Sequence, residues 1–162
     1  MSSPTGAVVT VSDRVSSGTA EDRSGPAAIA LLESAGFEVL EYRVVPDGVD
    51  SVANALTEIA GKVDLILTTG GTGLTQRDLT PEGTKAVLER EAPGLAEAIR
   101  SDTFGKNPHG MLSRGAAGTI GATLVVNLPG SVRGVQESLA VILPALSHGI
   151  ELLVGGSSDH NA

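Results

Sequence analysis

Residues 64–82 read DLILTTGGTGLTQRDLTPE, and the order of residue types in that stretch decides the architecture. Asp64–Thr68 is short, apolar and without helical periodicity, which predicts a strand covered on both faces. The run breaks at Gly70-Gly71-Thr72-Gly73. Thr80-Pro81-Glu82 then supplies a helix N-cap, a proline and an acidic first-turn residue, predicting a short helix to about residue 91. A strand, a glycine loop and a helix in that order form a unit of a parallel α/β sheet.

Working outward, the same strand character returns in Ala7–Ser12 (AVVTVS) and Thr123–Leu128 (TLVVNL). Glu38–Val45 (EVLEYRVV) is weaker and alternates, which suits a strand near an edge. A further weak strand is expected over Ser113–Gly118. Its connection to Thr123 is only about four residues, too short for a crossover helix, so one antiparallel pairing is expected there. Helical periods lie between the strands. One starts with Pro26 at its first position and stops at Gly36. Another carries Val52, Leu56, Ile59 and Ala60, with Asp50 or Ser51 as cap and Gly61 as stop. Pro93 restarts a helix through Arg100. The last helix runs from about Ser131 with Val135, Leu139, Ile142, Leu146, Ile150 and Leu153 on one stripe, and Pro144 inside it is expected to bend it. The fold expected is a three-layer open α/β sheet, mostly parallel with one antiparallel strand.

The chain has 162 residues, one domain's worth. It has no cysteine, which excludes a disulfide framework, a zinc ribbon, an iron–sulfur centre and a thiol nucleophile. Its net charge of −8 and its three aromatics, Phe37, Tyr42 and Phe104, argue against nucleic-acid binding, which wants a basic footprint and stacking platforms. No basic leader opens the chain, and no apolar run is long enough for a membrane span. A soluble cytoplasmic protein is the expectation.

Ligands of open α/β sheets bind beyond the carboxyl ends of the strands. Ser12-Asp13-Arg14 follow the first strand there, and Pro46-Asp47-Gly48 follow the second. The glycine loop with Arg77-Asp78 follows the third, and Asn127, Pro129 and Gly130 close the last. Three glycines in four residues let backbone N–H groups face an anion. No Gly-Lys-Ser/Thr follows, so the loop is not a Walker A motif, and without a glycine at position 76 it is not the dinucleotide fingerprint. A tight turn accounts for GGTG equally well. An acidic protein handling a phosphorylated substrate offsets repulsion locally, and Mg²⁺ on one or two carboxylates does so. Asp47 and Asp78 are the candidates, against a turn residue for the first and a loop cap or a surface pair with Arg77 for the second. Asp13 divides between cap and ligand, and Asp64, at the other end of its strand, reads as structural. Arg77, Lys106, Arg114 and Arg133 sit in loops, each able to meet a phosphate or simply to be solvated. Ser113 fits a hydroxyl donor better than a nucleophile.

The elements VTVSDR (residues 9–14), AEDRSGP (20–26), VPD (45–47), DLILTTGGTGLTQRDLTPE (64–82), MLSRGAAG (111–118) and LVVNLPGSVRGVQE (124–137) resemble the molybdopterin adenylyltransferases of the Mog/MoaB family. Plant Cnx G-domains and the N-terminal domain of gephyrin belong to the same group. The resemblance implies residues 1–154 as a single molybdopterin-binding domain, with 155–162 a disordered tail. It implies transfer of AMP from Mg-ATP to the terminal phosphate of molybdopterin with release of pyrophosphate. It further implies a homotrimer and a Moe-type molybdenum insertase as downstream partner. Asp47 and Asp78 match the acidic positions of the chemistry and would hold Mg²⁺; Gly70, Gly71, Thr72 and Gly73 match the phosphate and pterin loop. Ser12, Asp13, Thr80, Pro81, Ser113, Arg114, Asn127, Pro129 and Gly130 match the rest of the pocket. After Asn-Leu-Pro-Gly the family usually places a residue and then proline, where this chain has Val132, and Gly134 is expected to weaken the first turn of the last helix. The competing readings are a non-catalytic molybdopterin carrier, a nucleotide pyrophosphatase related to the competence-damage proteins, and a purely structural trimeric module.

Overall fold

The computed structural model of the chain describes residues 2–155. The tail expected over 155–162 lies outside the described residues apart from Gly155. Six strands form one sheet: β1 (Thr5–Val11), β2 (Glu38–Val45), β3 (Leu65–Thr69), β4 (Arg90–Glu91), β5 (Ala117–Ile120) and β6 (Thr123–Leu128), in the order β2-β1-β3-β6-β5-β4. β2, β1, β3 and β6 are mutually parallel, and β5 alone runs against its neighbours. The alternating β2 lies at the edge, as its pattern implied.

Residues alternate between the two faces of each central strand, and both faces are buried. Val8, Leu65, Leu67, Val126 and Leu128 pack on one side with α2 (Ser24–Ser34), α5 (Pro93–Asp102) and α6 (Val132–Leu153). Ala7, Val9, Val11, Ile66 and Val125 pack on the other with α3 (Val49–Ile59). Each fully buried Leu or Ile contributes about 1.5–3 kcal/mol, so the sheet's centre holds the molecule together. α4 (Thr80–Lys85) lies on α3 through Gly83, where a Cβ would stand 2.7 Å from Val52 Cβ.

Several local expectations are corrected. The strand expected over Ser113–Gly118 begins only at Ala117, because Arg114 is drawn to the glycine loop instead, its amide donating to Thr72 O at 2.8 Å. The helix expected to residue 91 ends at Lys85. Beyond it Arg90–Glu91 pair with Thr119 and Gly118 as a short strand, and a Cβ at Gly118 would overlap Arg90 O. Thr80 is not the N-cap of α4; Leu79 is, and the Thr80 hydroxyl donates to Gly70 O at 2.8 Å. Neither Asp50 nor Ser51 caps α3. Gly48 does, at φ 140°, and the Ser51 hydroxyl donates to Pro46 O. α2 starts at Ser24, ahead of Pro26, while α6 carries Pro144 inside it as expected. Gly134 stands at a closely packed entry to α6. Its amide donates to the Ser131 cap at 2.9 Å, and a Cβ there would stand 2.7 Å from Pro129 Cβ, so the tight entry depends on a glycine. The four-residue α1 (Asp13–Ser16), capped by Ser12, and the 3-10 turn Pro108–Leu112 carry no period that a sequence reading detects.

Candidate functional site

β1, β2, β3 and β6 all end at one edge, and the loops leaving them meet there. Asp13 and Asp47 tie the first two together: each backbone amide donates to the other's carboxylate at 2.9 Å. The glycine loop starts where β3 stops. Gly70 and Gly71 have φ of 93° and 68°, a region costing a residue with a side chain about 1–2 kcal/mol. Space also demands glycine. A Cβ on Gly71 would overlap Thr80 Oγ1 and come 3.3 Å from Asp47 Oδ1, while one on Gly73 would stand 3.0 Å from Asp78 Oδ2. The loop backbone is therefore open to both aspartates.

Asp78 is set by its own loop, accepting the Thr75 amide at 2.9 Å. Arg114 holds that loop from beneath. Its guanidinium donates to Gly73 O at 2.8 Å, to Asp78 O at 2.6 Å and to the Glu82 carboxylate. That hydrogen bond holds Glu82 below the ordinary carboxylate range, although its Oε2 is buried without a partner. Burial pushes Asp47 above its ordinary value, and the charges of Asp13 and Asp78 add to the rise; the Asp13 amide and Arg77 oppose it.

Two cavities flank the loop. The larger, about 550 Å³, is lined by Gly70 and Gly71 with Ser12, Asp13, Asp47, Asp78 and Gly130. The smaller, about 260 Å³, is lined by Thr72 and Gly73 with Ser113, Pro129, Asn107 and His109. Ser131 borders both. Of the remaining residues singled out from sequence, Thr80, Pro81, Asn127, Arg114 and Lys106 line neither cavity. Thr80 and Pro81 are buried under the loop. Asn127 is buried too: it receives the Ala116 amide and donates to Thr68 and Thr84, fastening β6 to β5, β3 and α4. Arg114, read as a residue for phosphate, is engaged with the chain's own carbonyls. Lys106 pairs with Asp102 and Arg133 with Glu137, although Arg133 borders the smaller cavity. Arg77 borders the larger cavity and has no ion pair among the described residues.

Sequence reasoning assigned no role to Glu21, Asp22, Arg23 and Ser24, which also line the larger cavity. Topology could have found them, since a helix after a parallel strand begins at that strand's carboxyl end. Asp22 anchors the segment, accepting from Thr10 Oγ1 at 2.7 Å, from the Gly25 amide at 3.1 Å and from the Tyr42 hydroxyl.

Among the described residues no group of three metal-ligating side chains is preformed. A magnesium ion needs fewer, because it keeps waters and takes phosphate oxygens beside one or two carboxylates. Asp47 and Asp78 fit that need: among the described residues each has one oxygen without a hydrogen-bond donor, and each lies beside the glycine loop. The like-charge crowding at Asp47 is what a cation would relieve.

The fold is a mostly parallel α/β sheet with a glycine loop set between two cavities at the carboxyl ends of its strands. The chain belongs to the family described as probable molybdopterin binding domain, whose model matches residues 7–148. It is 37% identical over 152 residues to the molybdopterin adenylyltransferase of Helicobacter pylori strain J99, covering 91% of this chain and 86% of that protein. Gephyrin of Dictyostelium discoideum is 43% identical over 157 residues, spanning 90% of this chain but only 22% of that longer protein. Among solved structures, the molybdopterin biosynthesis enzyme MoaB of Thermus thermophilus superposes with a TM-score of 0.89 at 44% identity, covering 94% of this chain and 98% of that one.

Proposed function

We propose that the protein adenylylates molybdopterin, joining the AMP of ATP to its terminal phosphate and releasing pyrophosphate. One observation carries the reading: a single glycine loop contributes Gly70 and Gly71 to one cavity and Thr72 and Gly73 to the other. A transfer between two bound molecules needs two subsites meeting at the reacting phosphate. The larger, charged cavity suits the nucleotide. The smaller one, with Asn107 and Thr72 for hydrogen bonds beside Ile99 and Leu112, suits a flat heterocycle.

The nucleophile is a phosphate oxygen, already anionic, so no strong base is required. Catalysis then consists of alignment and charge neutralisation. The loop amides face the phosphate oxygens, Asp13 holds the Asp47 backbone in place, and Arg114 fixes the loop bearing Asp78. Mg²⁺, held by Asp47 and Asp78, would supply charge neutralisation at the triphosphate. The same reading places the protein in the cytoplasm as a homotrimer, with a Moe-type insertase receiving the product. The relation to gephyrin, a much longer protein, supports a second activity working beside this one.

An adenylylation assay with purified protein, molybdopterin and labelled Mg-ATP tests this. Wild type is expected to label the pterin. Asp78→Asn is expected to lose about 10²–10³ in turnover while holding molybdopterin within a fewfold of wild-type affinity. Tight pterin binding with no transfer by wild type would instead establish a carrier, and equal losses in turnover and binding would move Asp78 from the chemistry to the pterin subsite or the fold.

A further inference from the structure

Half of the eight arginines of this acidic chain are engaged. Arg43 pairs with Glu41 and Glu58, Arg114 with Glu82, and Arg133 with Glu137, while Arg100 donates to Ser113 O and Gly115 O. Among the described residues, Arg14, Arg23, Arg77 and Arg90 have guanidiniums with neither an ion pair nor a side-chain hydrogen bond. Three of these four, Arg14, Arg23 and Arg77, line the larger cavity. They come from three separate segments: α1, the lead into α2 and the loop beyond the glycines.

Their backbones are fixed although their heads make no ion pair or hydrogen bond among the described residues, Arg77 acting only through its charge on Asp47. Arg14 O accepts the Thr19 amide at 2.9 Å, the Ala20 amide at 3.1 Å and the Thr19 hydroxyl at 3.0 Å. Arg23 stands between Asp22, anchored to Thr10, Tyr42 and Gly25, and the buried Ser24, whose hydroxyl meets Thr69 Oγ1 at 2.9 Å. Arg77 precedes Asp78, whose amide donates to Thr75 O at 3.1 Å and whose carbonyl takes Arg114. Anchored backbones thus hold three exposed, unpaired guanidiniums around one cavity in a chain with acidic groups in excess. Guanidinium forks match phosphate oxygens two at a time and keep their charge at any working pH.

We infer that Arg14, Arg23 and Arg77 form a binding site for the pyrophosphoryl end of a nucleoside triphosphate. The inference rests on the adenylyl-transfer reading and deepens it. In that reaction a phosphate oxygen of the acceptor forms a bond to the α-phosphorus, and the bond from that phosphorus to the bridging oxygen breaks. The electron pair leaves on that oxygen with the departing pyrophosphate. Negative charge therefore grows on the leaving group, and the arginines meet it there. The site makes a triphosphate, rather than a monophosphate, the tightly held nucleotide.

Calorimetric titration of the full chain with inorganic pyrophosphate, without added metal, tests the assignment. Arg14→Gln, Arg23→Gln and Arg77→Gln are each expected to weaken pyrophosphate about ten- to a hundredfold, the loss for a charge-assisted hydrogen bond. AMP is expected to change less than about threefold, since it lacks the pyrophosphoryl end. Arg90→Gln makes the same charge change on β4, outside the cavity, and is expected to leave pyrophosphate binding intact. All four side chains are exposed, so thermal midpoints close to wild type would confirm that the variants are folded. Equal weakening by Arg90→Gln, or unchanged binding in the three cavity variants, overturns the inference. If the cavity variants lose pyrophosphate but wild type transfers no AMP, the site stands and the transferase reading falls. If wild type transfers AMP and the variants bind pyrophosphate normally, the reverse holds.

Discussion

The two ends of the sheet use the same residue types to opposite effect. At the amino end of β3, Asp64 accepts the Thr5 amide at 2.8 Å and the Thr5 hydroxyl at 3.0 Å, and Thr123 donates to Val63 O at 2.7 Å while receiving the Gly61 amide. Each polar group there joins one strand to the next. At the carboxyl end five carboxylates and three arginines surround one cavity, and Asp47 is crowded by like charges. Folding does not require that crowding. A site is where a structure leaves charge facing a cavity, and the sheet's two ends show the difference within one molecule.

The largest effect that would sharpen this contrast comes from exchanging the aspartates. Asp47→Asn is expected to lower the transfer rate about a hundredfold or more. Asp64→Ala is expected to keep the rate and lose about 1–2 kcal/mol of stability, read as a shift in the urea midpoint. A comparable rate loss from Asp64→Ala would break the comparison. Glycines give a second, smaller test. Gly71→Ala must displace Thr80 and hold a side chain at φ 68°, whereas Gly121→Ala, in the turn at the opposite end, has φ 57° and nothing within 4 Å. Both are expected to lose about 1–2 kcal/mol for backbone conformation, but only Gly71→Ala should also impair transfer. Equal rates for the two variants would show that the loop tolerates displacement.

The smallest effect is electrostatic. Glu82 is held below its ordinary value by Arg114, so its contribution is present above the unfolded carboxylate value of about 4.3 and fades as pH falls through the lower folded one. Glu82→Gln is expected to destabilise by less than about 1 kcal/mol at neutral pH, because the pair is partly exposed, with the difference from wild type closing in acid. Urea midpoints across pH would show it. A difference that persists in acid would assign the loss to packing around the buried Oε2 instead.

Much of the fold was legible because buried parallel strands are written as continuous apolar runs and helix ends as proline and glycine. β4 was not: Arg90 and Glu91 are exposed, charged and paired only because Gly118 lets Arg90 O come close. The candidate site was legible where a residue stands within two positions of a strand's end, as Asp13, Asp47 and Gly70 do. Arg23 and Ser24 were not, since their place depends on where α2 begins.

By itself, then, the sequence determined the α/β layering, the edge position of β2 and the glycine loop at a strand's end, because periodicity and missing side chains are local properties. Only the tertiary structure decided that Arg114 clasps the loop rather than facing a ligand, that Asn127 is buried among threonines, and that three unpaired arginines share one cavity. Which guanidinium is engaged and which is free depends on acceptors brought together by folding. For Arg114 these lie 32 to 41 residues away along the chain.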